Sequence, residues 1–387
     1  MYVECHILQN FAPSNLNRND AGSPKDVTFG GYRRGRISSQ CLKRAVRLEF
    51  QREGLVPTEL LGTRTKRLVT EVATRLATKH GKDDTQARAV VAAALGIAGL
   101  RVVDEEKTQY LLFVGKSEID RLTDLCVMHW DALLKSSFSS VSKDDKKSKG
   151  NKRDVGVPAE IAREFPKFLE SGGKAVDVAL FGRMLADLPK KNVEAACQVA
   201  HAVSTNKMDV DFDYYTAVDD LKPEDTKGAD MIGTVELDSP CFYRYSNVNL
   251  DELTRNLEGD KTAAKSALKA YLHAVIAAIP SGKQNSSAAH NPPSLLLFVV
   301  RKKGLWSLVN AFANPIVPGK GGDLVTQSQI ALDRYWGELT LMYGEEPIVS
   351  KALCVLGEPI MPNLKSAQAA NVKELIDKTL NAAFSSV

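Results

Sequence analysis

Seven consecutive residues, Ser294–Val300 (SLLLFVV), carry no charge, no glycine and no proline. The run is far below the ~18 apolar residues that cross a membrane, and it is too apolar for the edge of a sheet. It reads as a central strand, so the rest of the chain must supply neighbours on both sides of it. Strand signals occur elsewhere. Val3, Cys5 and Ile7 alternate with Tyr2, Glu4 and His6, which predicts a first strand with one buried face. VDVALFGRM (Val176–Met184) and CFYRYSNVNL (Cys241–Leu250) also read as strands. Between these two lie VEAACQVAHAVST, read as a helix, and a two-sided segment over 206–236 with a polar turn at Lys222–Gly228. Alternation on both sides of a polar turn predicts a protruding hairpin.

Helical periodicity fills the remaining intervals. TRTKRLVTEVATRLATKH, DTQARAVVAAALGIAG and SEIDRLTDLCVMHWDALL make 57–172 a helical insertion, with a polar, mobile loop at 136–156. DKTAAKSALKAYLHAVIAAI predicts a helix ahead of SLLLFVV, and two further helices after Gly304 should pack behind the sheet. In order, the signals run strand, helix, helical insert, strand, hairpin, strand, helix, strand. That is the βαββαβ plan of an α+β, ferredoxin-like domain, the scaffold of RNA-recognition motifs. At 387 residues the chain exceeds one core, and two or three lobes are expected.

Charge locates the surface of interest. Gly30–Arg47 holds six Arg or Lys and no acid, while the whole protein nets only +4. A concentrated patch on a near-neutral background points to a specific polyanion contact. Gly30-Gly31 frees a loop, and Ser38 or Ser39 can cap a helix that stops near Gly54. On that helix Gln40, Lys43, Arg44 and Arg47 form one stripe opposite Leu42, Ala45 and Val46. The helix N-terminus would add free N–H groups for a phosphate.

Other chemistry finds little support. The six cysteines are dispersed without a CxxC pair, so neither a metal site nor a disulfide framework is expected. Asp209, Asp211 and Asp213 imitate a calcium loop, but Tyr214 stands where its glycine belongs; an exposed strand face fits better. His201 and His273 sit in helical patterns and read as packed or capping. No membrane span or secretion signal is evident, which predicts a cytoplasmic protein. No cofactor and no catalytic residue is expected.

Two blocks, SNLNRND (Ser14–Asp20) and KDVTFGGYRRGRISSQCLKRA (Lys25–Ala45), resemble the N-terminal signature of the CasC family, the backbone subunits of the type I-E CRISPR Cascade complex. The resemblance continues in DVALFGRM, AHAVST, DYYTAVDDL, GTVE, FYRYSNVNL and GKQNSSAAHNP, in the same order.

The resemblance implies a hand-shaped protein. Residues 1–56 and 173–387 would form a modified RNA-recognition palm, 57–172 the fingers, and a hairpin at about 204–236 the thumb. Copies would stack head to tail along the CRISPR RNA beside other Cascade subunits and hold its phosphates without reading sequence. The thumb would kink the strand at intervals, leaving the other bases to pair with target DNA. Ser38, Gln40, Lys43, Arg44 and Arg47 would hold phosphates. Met184 and Tyr215 match positions packing at the kink, and Thr216 a thumb position near the strand. Asn17, Arg18 and Lys25 match the preceding loop, and Lys283 and Gln284 a polar loop after the second palm helix. The aromatics by which RNA-recognition motifs stack bases on an open sheet are not evident in the central strands. Two alternatives stay open: a metal-dependent ribonuclease of the kind found in type III backbone subunits, using Asp20, and a general single-stranded RNA-binding protein.

Overall fold

SLLLFVV does form an inner strand. In the computed structural model of the protein, Leu295–Arg301 is buried at every position and is flanked on both sides in an eight-stranded sheet. The structure describes residues 1–104, 106–141, 157–169, 171–217, 231–319 and 323–385. It divides into two units: Met1–Leu55, Cys197–Asp251 and Lys265–Val387 form the first, Val56–Ala196 and Glu252–Ala264 the second.

The first unit opens with β1 (Tyr2–Asn10), β2 (Asp26–Phe29), β3 (Tyr32–Ile37) and α1 (Ser39–Arg52). The second contains β4 (Gly62–Thr65), α2 (Leu68–His80), α3 (Asp84–Ile97), β5 (Val102–Val103), β6 (Lys107–Thr108), β7 (Leu112–Gly115), α4 (Lys116–Met128), α5 (Trp130–Val141), α6 (Ala159–Glu164) and α7 (Val176–Phe181). The chain then returns through β8 (Cys197–Val199), β9 (Ala202–Ser204), β10 (Val210–Ala217), β11 (Met231–Asp238) and β12 (Cys241–Asn249). It ends with α8 (Leu250–Asn256), α9 (Lys261–Ala277), α10 (Gln284–Ser287), β13 (Leu295–Arg301), α11 (Leu324–Tyr343), β14 (Ile348–Val355) and α12 (Val372–Phe384).

The sheet runs β14-β13-β1-β12-β9-β3-β2, with β8 also paired to β12. At its centre β13, β1, β12 and β8/β9 are antiparallel neighbours. β13, β1 and β12 are the fourth, first and third strands of the βαββαβ plan and β8/β9 takes the place of the second, so the α+β reading holds. Both faces are covered. Direct partners point to the same side, so Cys5, Ser246 and Phe298 share one face. There α9 brings Tyr271 beside Cys5 and Cys197, and its Val275 carbonyl accepts from Arg244. On the other face Leu8, Tyr243, Leu297 and Leu353 pack against Leu332 and Trp336 of α11. That second face is the one an RNA-recognition motif leaves open.

This cover corrects the reading of β1, which is buried on both sides. Glu4 and His6 are fully buried beside α11. Glu4 accepts from the Tyr245 hydroxyl at 2.8 Å and pairs with Arg301 at 3.1 Å, while His6 Nδ1 lies 2.8 Å from the Tyr243 hydroxyl. Polar residues on an inner face survive because each has a partner.

Three further expectations change. Val176–Phe181 is a helix, not a strand, and all six of its residues are buried. Periodicity cannot distinguish a short apolar helix from a buried strand. The segment read as a helix from Val193 supplies β8 and β9 instead, because β12 needs a partner on its open side. Beyond Gly304 the two expected helices exist, but β14 lies between them and completes the sheet beside β13.

The second unit is built around a helical core that includes Val72, Leu76, Val90, Leu95, Leu122 and Leu133. It extends to Ala196 rather than to 172, because α7 packs on β4 and β7. Of the loop expected at 136–156, residues 136–141 continue α5 and 142–156 lie outside the described residues. The hairpin is present as β10 paired with β11 from Val210↔Asp238 to Ala217↔Met231, and its expected turn lies outside the described residues.

Candidate nucleic-acid interface

The basic segment is a hairpin followed by a helix rather than a loop. β2 and β3 are joined by Gly30-Gly31 alone, with φ of +61° and +82°, values that suit the twist of a two-residue hairpin turn. A Cβ on Gly30 would stand 1.9 Å from the Ala313 carbonyl oxygen, so no larger residue fits.

Alternation along β3 sends Arg33 to one face and both Arg34 and Arg36 to the other. Arg34 is fully buried, and its guanidinium donates to the carbonyls of Ser204, Thr205, Phe312 and Ala313 at 2.7–3.0 Å. One of the six cations therefore serves the fold. Arg33 pairs with Asp26. Arg36 remains half-exposed, 3.5 Å from His201 Nδ1.

Ser38 caps α1, its hydroxyl accepting from the Cys41 amide at 3.3 Å. Its own amide donates to Asn17 Oδ1 at 2.9 Å, and the Ser39 amide donates to His201 Nδ1 at 3.1 Å. Burial, then Arg36 and Lys25, lower the His201 pKa, so the ring stays neutral with Nδ1 free to accept. Side chains thus occupy three amides around this helix start, which weakens the expectation that they are open to a phosphate. His201 itself lies between β8 and β9, not within a helix.

The helical stripe is as the spacing requires. Leu42, Ala45 and Val46 face inward, Gln40 and Arg44 are exposed, and Lys43 and Arg47 are half-buried. Beside α1 lies a cleft of about 820 Å³ whose lining includes Asn17, Arg18, Arg44 and Arg52, with Leu16 and Ile279 as apolar lining. Asn17 joins its loop to the helix start, and its carbonyl accepts from the Lys25 amide at 2.8 Å. The loop after α9 closes on the same region, since a Cβ on Gly282 would meet the Leu16 carbonyl oxygen at 2.3 Å. Lys283 in that loop is exposed and left-handed, with φ of +52°. Gln284 uses its amide within the loop, donating to the Pro280 and Ala289 carbonyls at 3.2 and 3.3 Å.

Ten of the sequence-derived residues therefore gather around α1: Asn17, Arg18, Lys25, Ser38, Gln40, Lys43, Arg44, Arg47, Lys283 and Gln284. The other three stand elsewhere. Tyr215 and Thr216 are exposed on β10, and the Tyr215 ring lies over Gly233 on β11. Met184 belongs to the second unit and is 81% exposed, which excludes a core role. Sequence reasoning did not assign Arg36 or His201. Arg36 was visible within the basic run, whereas His201 was concealed by the helical reading of its segment.

No curated protein matches the sequence. Among solved structures, a chain of a "CRISPR RNA-guided surveillance complex, pre-nicking" is 33% identical, with 99% of this chain and 100% of that one covered and a TM-score of 0.84. A chain of a second "CRISPR RNA-guided surveillance complex" is 27% identical over 99% and 100% of the two chains, with a TM-score of 0.74. The model of the CT1975-like protein family matches residues 3–381, and the chain belongs to that family.

Proposed function

We propose that this chain is a backbone subunit of a type I-E Cascade complex that holds CRISPR RNA by its phosphates. The observation that carries this reading is the pairing of a cationic helix face with a closed sheet. α11 covers the face on which an open sheet would stack bases, and Lys43, Arg44 and Arg47 stand on the surface of α1. Such an arrangement favours sequence-blind contact with a strand over base reading. The two similar structures, both from RNA-guided complexes, support the same partner class.

In this reading copies stack head to tail along the guide, beside other Cascade subunits. Met184, Tyr215 and Thr216 contact the strand where it is kinked, and the remaining bases are displayed to target DNA. The role is non-catalytic, since holding a strand requires no bond to be made or broken. We place the protein in the cytoplasm; among the described residues no helix is long and apolar enough to cross a membrane.

The test is assembly on guides of graded length. Bound copies should rise in steps with RNA length, and Lys43→Glu with Arg47→Glu should abolish assembly while circular dichroism stays native. Filaments formed by that double variant, or one-to-one binding at every length, would refute the proposal.

A further inference from the structure

Met184 is an exposed methionine between two buried neighbours, and the reason lies in the residue before it. Arg183 and Leu185 are 5% and 1% exposed, against 81% for Met184. The guanidinium of Arg183 donates to both carboxylate oxygens of Glu118 on α4, at 2.9 and 2.7 Å. It also reaches the Phe113 carbonyl on β7 at 3.3 Å and the Lys191 carbonyl at 3.2 Å. Glu118 is fully buried and accepts in addition from the Gly115 amide at 2.8 Å. One side chain therefore ties a strand, a helix and the far end of the Met184 loop together.

The neck of that loop is closed as well. Arg183 and Val193 exchange backbone hydrogen bonds of 2.9 Å in both directions, and the Leu185 amide donates to Asn192 Oδ1 at 2.6 Å. Leu185 enters the helical core of the second unit. With both flanking side chains fixed inward, the Met184 side chain has only solvent to face. A methionine is flexible in itself, so its position depends on the anchors beside it.

We propose that the buried Arg183–Glu118 pair is a positioning device that presents Met184 outward for its contact with the guide strand, an inference that rests on the proposed role of Met184. A buried ion pair contributes little to stability over a well-packed apolar pair, yet it fixes geometry through several directed bonds. That separates positioning from simple stabilisation. Glu118→Leu with Arg183→Met removes both charges together and leaves no buried charge alone. Glu118→Gln, which keeps the shape of the side chain, is the second variant should the first fail to fold.

The experiment is amide hydrogen exchange on the full chain, followed by nuclease mapping of CRISPR RNA bound to each variant. In the variants the Arg183 and Val193 amides should exchange about tenfold faster while α2 and α3 stay protected. Regularly spaced exposed nucleotides should be lost as they are in Met184→Ala. Unchanged exchange across 183–193 would overturn the proposal. So would faster exchange with an intact nuclease pattern where Met184→Ala disrupts it. If Met184→Ala leaves the pattern intact while exchange rises, the positioning stands and the assigned role of Met184 falls.

Discussion

If Lys43, Arg44 and Arg47 neutralise phosphates, their removal must change how binding depends on salt, as well as its strength. The perturbation is a triple change to glutamine, which keeps helix propensity nearly constant and leaves the inward face of Leu42, Ala45 and Val46 untouched. On a single strand each phosphate contact contributes ~0.7 to the slope of log affinity against log salt, so three contacts contribute ~2. Between 50 and 200 mM salt the native protein should therefore lose about twentyfold more affinity than the variant. Fluorescence anisotropy with a labelled guide long enough for one copy, in a salt series, measures both slopes. An equal slope with weaker binding would refute the reasoning. It would mean that these cations serve the fold, as Arg34 does, rather than the strand.

Three shorter predictions follow from particular residues. Arg34→Met should destabilise the first unit by about 3–5 kcal/mol in urea unfolding, because four buried carbonyls lose their donor; a change under ~1 kcal/mol would contradict its assignment to the fold. Burial, aided by Asp209 and Asp211, lifts the Asp238 carboxyl from 3.8 to about 7 at the base of the β10–β11 hairpin. The native state then keeps a proton that the unfolded chain releases, so stability falls as pH rises from about 4 to about 7. Asp238→Asn should flatten that fall by something on the order of 4 kcal/mol, and an unchanged pH profile of melting would count against it. Finally, Asp20→Ala should bind guide RNA like the native chain, and neither should cut target RNA with magnesium. A native cut lost in the variant would favour the ribonuclease reading.

Residues with a strong local pattern were legible in the sequence. The α1 stripe, the run SLLLFVV and the two-sided hairpin each specify their own environment, as do the first strand and CFYRYSNVNL, which became β1 and β12. Segments whose structure depends on distant partners were not. Ala200–Ser204 is helix-like in composition, yet β9 exists because β12 and β3 pair with it on either side. Val176–Phe181 is buried in any reading, so its apolar character could not select helix over strand. Charge was the least transparent feature. Arg33 and Arg34 look alike in the basic run, but strand alternation leaves one exposed beside Asp26 and sends the other into a cage of carbonyls. In the same way the exposure of Met184 follows from Arg183 and Glu118, which lie far apart in the chain.

The central claim is that copies of this chain hold a guide strand by its backbone and interrupt it at fixed intervals. Nuclease protection of the RNA that copurifies with the protein, expressed with a CRISPR array and its expected partners, tests this most directly. The account predicts one defined guide with regularly spaced exposed nucleotides. Uniform protection, or heterogeneous cellular RNA without spacing, would contradict it.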